Sequence, residues 1–144
     1  MVAIDILLVE DNSSDAELSL RAIKKYDSGL QVLHLEDGEK VLHFIKNSKD
    51  KYNINSLKLI ILDLKIPKIN GLEVLAFIKE SSQFKNTPIV MLTSSMEEKD
   101  IEAAFKKGVN SYLVKPMIYE EYTKMMHEML QYWIDYYHNS QQDE

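Results

Sequence analysis

The chain predicts an α/β protein, a single domain on a buried parallel sheet whose carboxyl edge carries the chemistry. Three observations predict it. Short apolar, β-branched runs alternate with longer amphipathic stretches, the pattern of βα units around a parallel sheet. Two of those runs, Ile6-Leu7-Leu8-Val9 and Leu59-Ile60-Ile61-Leu62, close on carboxylates, Glu10-Asp11 and Asp63, so both deliver acid to one edge. The 144 residues, 45% hydrophobic and 28% charged, suit one ordinary core without staples. We place the domain at residues 1–138, its last helix over 118–138, and a disordered polar tail at 139–144.

In chain order, the predicted strands are Asp5 to Val9, Gln31 to Leu35, Leu57 to Leu62, Pro88 to Thr93 and Ser111 to Val114. Predicted helices begin near Ser14, Glu39, Gly71, Met96 and Ile118. Ser14-x-x-Glu17 and Ser95-x-x-Glu98 read as capping boxes, serine accepting from an orphan N–H and glutamate reaching back. Gly108, after Phe105-Lys106-Lys107, reads as the C-cap of the fourth helix, with lysines complementing the dipole. The polar stretch Lys46 to Ser56 reads as a surface loop. Gly71 and Gly108 are expected to serve the backbone rather than to cradle phosphate.

A crevice beyond the carboxyl ends of parallel strands is where α/β proteins bind ligands. Glu10, Asp11 and Asp63 gathered there would repel one another, and a hard divalent cation such as Mg²⁺ relieves the repulsion through oxygen ligands. The fourth strand adds the hydroxyl of Thr93, and the fifth ends on Lys115 before Pro116. Carboxylates, a hydroxyl and an ammonium on one edge share a logic if the species handled is a phosphoryl group. Asp63 would be the nucleophile that forms an acyl phosphate, Lys115 and Thr93 would bind phosphoryl oxygens, and Mg²⁺ would neutralise their charge.

The series Val9-Glu10-Asp11-Asn12, Leu62-Asp63-Leu64-Lys65-Ile66-Pro67 with Gly71, Leu92-Thr93-Ser94, Gly108 and Tyr112-Leu113-Val114-Lys115-Pro116 resembles the receiver domains of two-component response regulators. The resemblance spans essentially the whole chain, and five separated motifs in order make it specific. Within the family, Ile89-Val90-Met91-Leu92-Thr93-Ser94-Ser95 and Tyr132-Trp133 are most similar to the small stand-alone regulators paired with bacterial phytochrome-type kinases.

The resemblance implies a flavodoxin-like, doubly wound three-layer sandwich: a five-stranded parallel sheet of order 2-1-3-4-5 with five helices. It implies phosphorylation of Asp63 by a sensor histidine kinase or phosphotransfer protein, with the Lys65 carbonyl as a further Mg²⁺ ligand. It also implies a switch in which Thr93 moves toward the phosphoryl group and Tyr112 turns inward, biasing the fourth helix, fifth strand and fifth helix. The resemblance offers a cis Lys115–Pro116 bond, and the sequence itself leaves the isomer open. Two residues depart from the common pattern: Asn70 stands before Gly71 where aspartate is frequent, and the Lys65 side chain is expected to tune phosphoryl lifetime.

Other classes fit less well. A haloacid-dehalogenase-type phosphatase wants a second aspartate two residues after the nucleophile, where this chain has Lys65, and Glu10-Asp11 would repel a flavodoxin's flavin phosphate. The absence of cysteine excludes disulfides and thiolate chemistry, and fits a cytoplasmic location. Net charge −6 argues against a nucleic-acid partner, and no apolar run spans a membrane. His34, His43, His127 and His138 lack metal or triad spacing. Tyr122, Met125, Met126, Met129, Trp133 and Tyr136 recur at helical spacing, and Tyr122, Met126 and Trp133 are expected at an interface with a second copy or a partner. Too few residues follow the fifth helix for an output domain, so output is expected through a downstream protein target. A phosphorelay intermediate, a phosphate sink and a phosphorylation-independent pseudo-receiver are the alternatives.

Overall fold

The computed structural model describes residues 1–47 and 51–142. Its strands are β1 Val2–Ala3, β2 Ile6–Val9, β3 Val32–Leu35, β4 Tyr52–Asn53, β5 Leu59–Leu62, β6 Ile89–Thr93 and β7 Ser111–Val114. Its helices are α1 Ser13–Tyr26, α2 Gly38–Asn47, α3 Gly71–Glu80, α4 Glu98–Lys106 and α5 Tyr119–Leu130, the last continuing through a π-helical stretch, Gln131–Tyr136, into α6 Tyr137–Gln142.

The main sheet has the order β3-β2-β5-β6-β7, all parallel, which is 2-1-3-4-5 when its five strands are counted along the chain. The flavodoxin-like expectation therefore holds. Strand residues alternate between two cores, as a period of two requires. Leu7, Val9, Ile60, Leu62 and Met91 pack toward α2 and α3. Ile6, Leu8, Leu59, Ile61 and Val90 pack toward α1 and α5. The near-continuous burial of β2, β5 and β6 is what makes those segments read as unbroken apolar runs.

Several local expectations are corrected. Helix α1 is capped by Asn12, whose Oδ1 accepts from the Asp15 N–H at 2.9 Å, so Ser14 lies inside the helix and forms no capping box. Helix α4 starts at Glu98 without a side-chain cap; the Ser95 hydroxyl instead donates to Asp100 at 2.6 Å. Within the predicted loop, β4 pairs with β1, and Asn53 caps a 3₁₀ turn over Ile54–Ser56; residues 48–50 lie outside the described residues. Ser56 Oγ ties that turn to the start of the sheet, accepting from the Ile4 N–H at 3.0 Å. Polar residues here bond backbone locally, which polarity alone does not reveal.

The expected disordered tail is helical as far as Gln142, with residues 143–144 outside the described residues. The segment just before the tail is tied down by side chains: Asp135 accepts from the Tyr26 hydroxyl, and His138 Nε2 donates to the Lys58 carbonyl at 3.0 Å.

Two glycines meet backbone demands. Gly108 has φ +97° just past α4, a left-handed conformation that L side chains rarely adopt. A Cβ on Gly71 would lie 2.3 Å from the Asp63 carbonyl oxygen, so only glycine lets α3 start against the strand that presents Asp63. Gly71→Ala is expected to destabilise the fold by about 2 kcal/mol or more through that backbone clash, read as a lowered urea midpoint at unchanged slope. A midpoint equal to wild type would show that α3 moves away freely.

Candidate functional site

Sheet register brings the site together. Val9 is the partner of Leu62, so Glu10 and Asp63 leave β2 and β5 at one level, and the Asp63 N–H donates to the Val9 carbonyl at 3.1 Å. Thr93 is the partner of Val114, and the Lys115 N–H donates to the Thr93 carbonyl at 2.8 Å. Glu10, Asp63 and Thr93 are buried, whereas Asp11 is exposed.

The Lys115 ammonium lies among carboxylates, 2.6 Å from Glu10 Oε1, 2.9 Å from Asp63 Oδ2 and 2.9 Å from Asp15 Oδ2. Burial by itself disfavours the ammonium, but its bonds to Asp63, Glu10 and Asp15 outweigh that and keep it protonated above the ordinary lysine range. Burial pushes the Glu10 carboxyl up to about 7, against the pull of Lys115 and with a further push from the Asp63 charge. Glu10 also accepts from the Asn12 N–H at 3.2 Å, and its carbonyl accepts from His34 Nε2 at 2.7 Å. The other Asp63 oxygen, Oδ1, accepts from the Lys65 N–H at 3.3 Å.

Ligand oxygens of Glu10, Asp11 and Asp63 lie within 4.8 Å of one another. An all-oxygen donor set, buried on two sides and open to water at Asp11, fits a hard divalent cation, and these residues form an acidic metal-binding site. Among the described residues this is the one such cluster, and no histidine joins it. His34, His127 and His138 serve instead as a carbonyl donor, an edge-on partner of Tyr26 and a carbonyl donor.

The remaining predicted residues fall as follows. Tyr112 is half-buried against the core, and its hydroxyl donates to the Ser95 carbonyl at 2.9 Å, spanning β7 and the β6–α4 loop. Burial raises the Tyr112 pKa. Thr93 Oγ1 accepts from the Ser95 N–H at 3.4 Å, which places the hydroxyl at the start of the same loop. The Lys115–Pro116 bond is trans, correcting the cis form that the resemblance offers; trans is the lower-energy isomer of an X–Pro bond by roughly 0.5–1 kcal/mol. Asn70 caps α3, its Oδ1 accepting from the Glu73 N–H at 3.0 Å, a task asparagine performs as well as aspartate.

The interface assignment is also corrected. Tyr122 is 2% exposed and Met126 0%, both packed against the sheet, because this face of α5 is what covers β2, β5 and β6. Trp133 is half-buried on the same core, whereas Tyr119 at the start of α5 and Tyr132 and Tyr136 beyond its end are exposed. Sequence reading missed Asp15, since a first-turn aspartate looks like a dipole partner until the fold sets Lys115, just past β7, beside the first turn of α1. It also missed Ser95, which takes part in the Tyr112 contact through its carbonyl rather than its side chain.

A doubly wound sheet carrying an acidic cation site, a buried hydroxyl and a buried lysine at one edge defines a receiver domain rather than a conventional enzyme. The chain belongs to the response regulator receiver domain family, which matches residues 6–127. It is 36% identical to the probable methanogenesis regulatory protein FilR2 of Methanothrix harundinacea, over 90% of this chain and 83% of that one. It is 35% identical to response regulator Rcp1 of Synechocystis sp., over 90% and 88%. The Mn²⁺-bound structure of a response regulator Rcp1 superposes with TM-score 0.82 at 32% identity, covering 94% of this chain and 96% of that one. The phosphorylated cyanobacterial phytochrome response regulator RcpA superposes at 0.84 with 29% identity, covering 93% and 96%. The resemblance to phytochrome-associated regulators therefore holds, and membership implies a histidine kinase as partner.

Lys115 and a bound cation compete for the same carboxylates. Lys115→Ala is expected to bind Mg²⁺ about tenfold tighter by calorimetry, since removing a like charge a few ångströms away amounts to roughly 1–2 kcal/mol at the effective dielectric of a protein surface. Weaker binding would mean that the lysine organises the carboxylates more than it competes for them.

Proposed function

We propose that Asp63 is the phosphoacceptor of a Mg²⁺-dependent signalling switch. The observation that carries the reading is the placement of Asp63: one carboxylate oxygen bonded to Lys115, the other to the Lys65 N–H, and Glu10 and Asp11 alongside. A carboxylate oxygen of Asp63 attacks the phosphorus of a phosphohistidine, the P–N bond breaks, and the departing imidazole nitrogen takes a proton from solvent. Glu10, Asp11, Asp63 and the Lys65 carbonyl would hold Mg²⁺, which supplies neutralisation of the phosphoryl charge when bound. Lys115 and Thr93 bind phosphoryl oxygens, so that catalysis is electrostatic and positional. The Lys65 side chain, exposed beside the acceptor, tunes the lifetime of the adduct, and an unchanged dephosphorylation rate in Lys65→Ala would remove that role.

The switch follows from the contacts of Thr93 and Tyr112. Both bond Ser95, so a pull on Thr93 from the phosphoryl group reaches the β6–α4 loop and the face formed by α4, β7 and α5. The donor is a sensor histidine kinase, in the light of the Rcp1 and RcpA likeness one of the phytochrome type, or a phosphotransfer protein, acting in the cytoplasm. The output is contact with a downstream protein or a second copy of this chain, for which Tyr132 and Tyr136 on the extended last helix offer exposed aromatic surface.

Intact-protein mass after incubation with acetyl phosphate and Mg²⁺ is expected to show one phosphoryl adduct, abolished in Asp63→Asn and by chelation of the metal. No adduct in wild type, under conditions that preserve acyl phosphates, would favour a phosphorylation-independent module. Strictly monomeric sedimentation of both forms would remove the second copy as output.

A further inference from the structure

The Lys115 ammonium has three N–H donors, and each faces a different carboxylate. Glu10 and Asp63 belong to the cation cluster; Asp15 does not. Its side chain is 31% exposed, against 9% for Asp63 and 3% for Glu10, so its charge is anchored chiefly through Lys115. Helix α1 holds it there. The Asp15 N–H is capped by Asn12, and further along α1 the Ser19 hydroxyl bonds the Tyr122 hydroxyl at 2.7 Å while Tyr26 bonds Asp135. Asp15, Ser19 and Tyr26 lie at i, i+4 and i+11, one stripe of the helix, stitched to β7 and the long last helix. These bonds keep the first turn of α1, and with it the Asp15 backbone, beside Lys115.

An arriving phosphoryl dianion needs a donor from Lys115, and Asp15 engages the same ammonium at 2.9 Å. We propose that Asp15 is a positioning residue for Lys115, a competing counter-ion that draws the ammonium toward α1 and slows phosphorylation of Asp63. The inference rests on the reading of Asp63 as phosphoacceptor. Glu10 and Asp63 still hold Lys115 when the Asp15 charge is removed, so the lysine keeps its place and becomes freer to bind phosphate. Asparagine preserves the size of the side chain and can still accept a hydrogen bond.

At saturating Mg²⁺, Asp15→Asn is expected to form the acetyl phosphate adduct about fivefold faster than wild type, the scale of one unit charge removed near a partly exposed anion site. Asp15→Glu, which restores the charge, is expected to stay within about twofold of wild type, whereas a merely structural role would make both variants slower. The proposal is overturned if wild type forms the adduct and Asp15→Asn forms it no faster, or if Asp15→Glu matches the faster rate of Asp15→Asn. A wild type without adduct would instead remove the phosphoacceptor reading and this inference with it.

Discussion

One ammonium held among three carboxylates is the interaction on which the carboxyl edge of the sheet depends. Glu10 and Asp63 are buried side by side, and two such groups cannot both ionise without a counter-charge. Lys115 supplies it from a neighbouring strand, and its three bonds keep it charged despite burial. Burial still holds the Glu10 carboxyl up at about 7. A divalent cation held by these carboxylates would favour their ionised form, and a buried charge pair of this kind is evidence for function more than for stability.

The scaffold makes the geometry hold. Parallel register sets Glu10 and Asp63 at one level, and Gly71 lets α3 start in contact with the backbone of Asp63. His34 fixes the Glu10 carbonyl from the edge strand, so a group on the outer strand β3 supports the cation site. On the opposite side, α1 and the extended last helix are bonded at Ser19–Tyr122 and Tyr26–Asp135. The contacts that the proposed switch would work through lie elsewhere: Thr93 and Tyr112 both bond Ser95, whose hydroxyl donates to Asp100 of α4. Rearrangement of that loop against the bonded helices is what the proposed switch requires.

Strand-end carboxylates, Thr93 and Lys115 were legible in the sequence because buried parallel strands are continuous apolar runs, and whatever follows such a run must emerge at one edge. Asp15 was not legible, since its partner is a hundred residues away and only the fold brings the end of β7 to the first turn of α1. Capping was misread at Ser14 and Ser95 because the preceding Asn12 is the better-placed acceptor and Ser95 spends its hydroxyl on Asp100. Tyr122 and Met126 look like a partner surface in the sequence because helical spacing marks an apolar stripe without saying what covers it. The sheet itself covers it, and exposed aromatics sit on the adjoining face at Tyr132 and Tyr136.

The most direct test is a crystal structure of the protein with Mg²⁺ and beryllofluoride, a stable mimic of the phosphoryl group. The mimic is expected on an Asp63 carboxylate oxygen, the cation among Glu10, Asp11, Asp63 and the Lys65 carbonyl, and the Lys115 ammonium bonded to a fluoride in place of Asp63 Oδ2. A mimic seated elsewhere, or a Lys115 still bonded to the Asp63 carboxylate with no contact to fluoride, would contradict it.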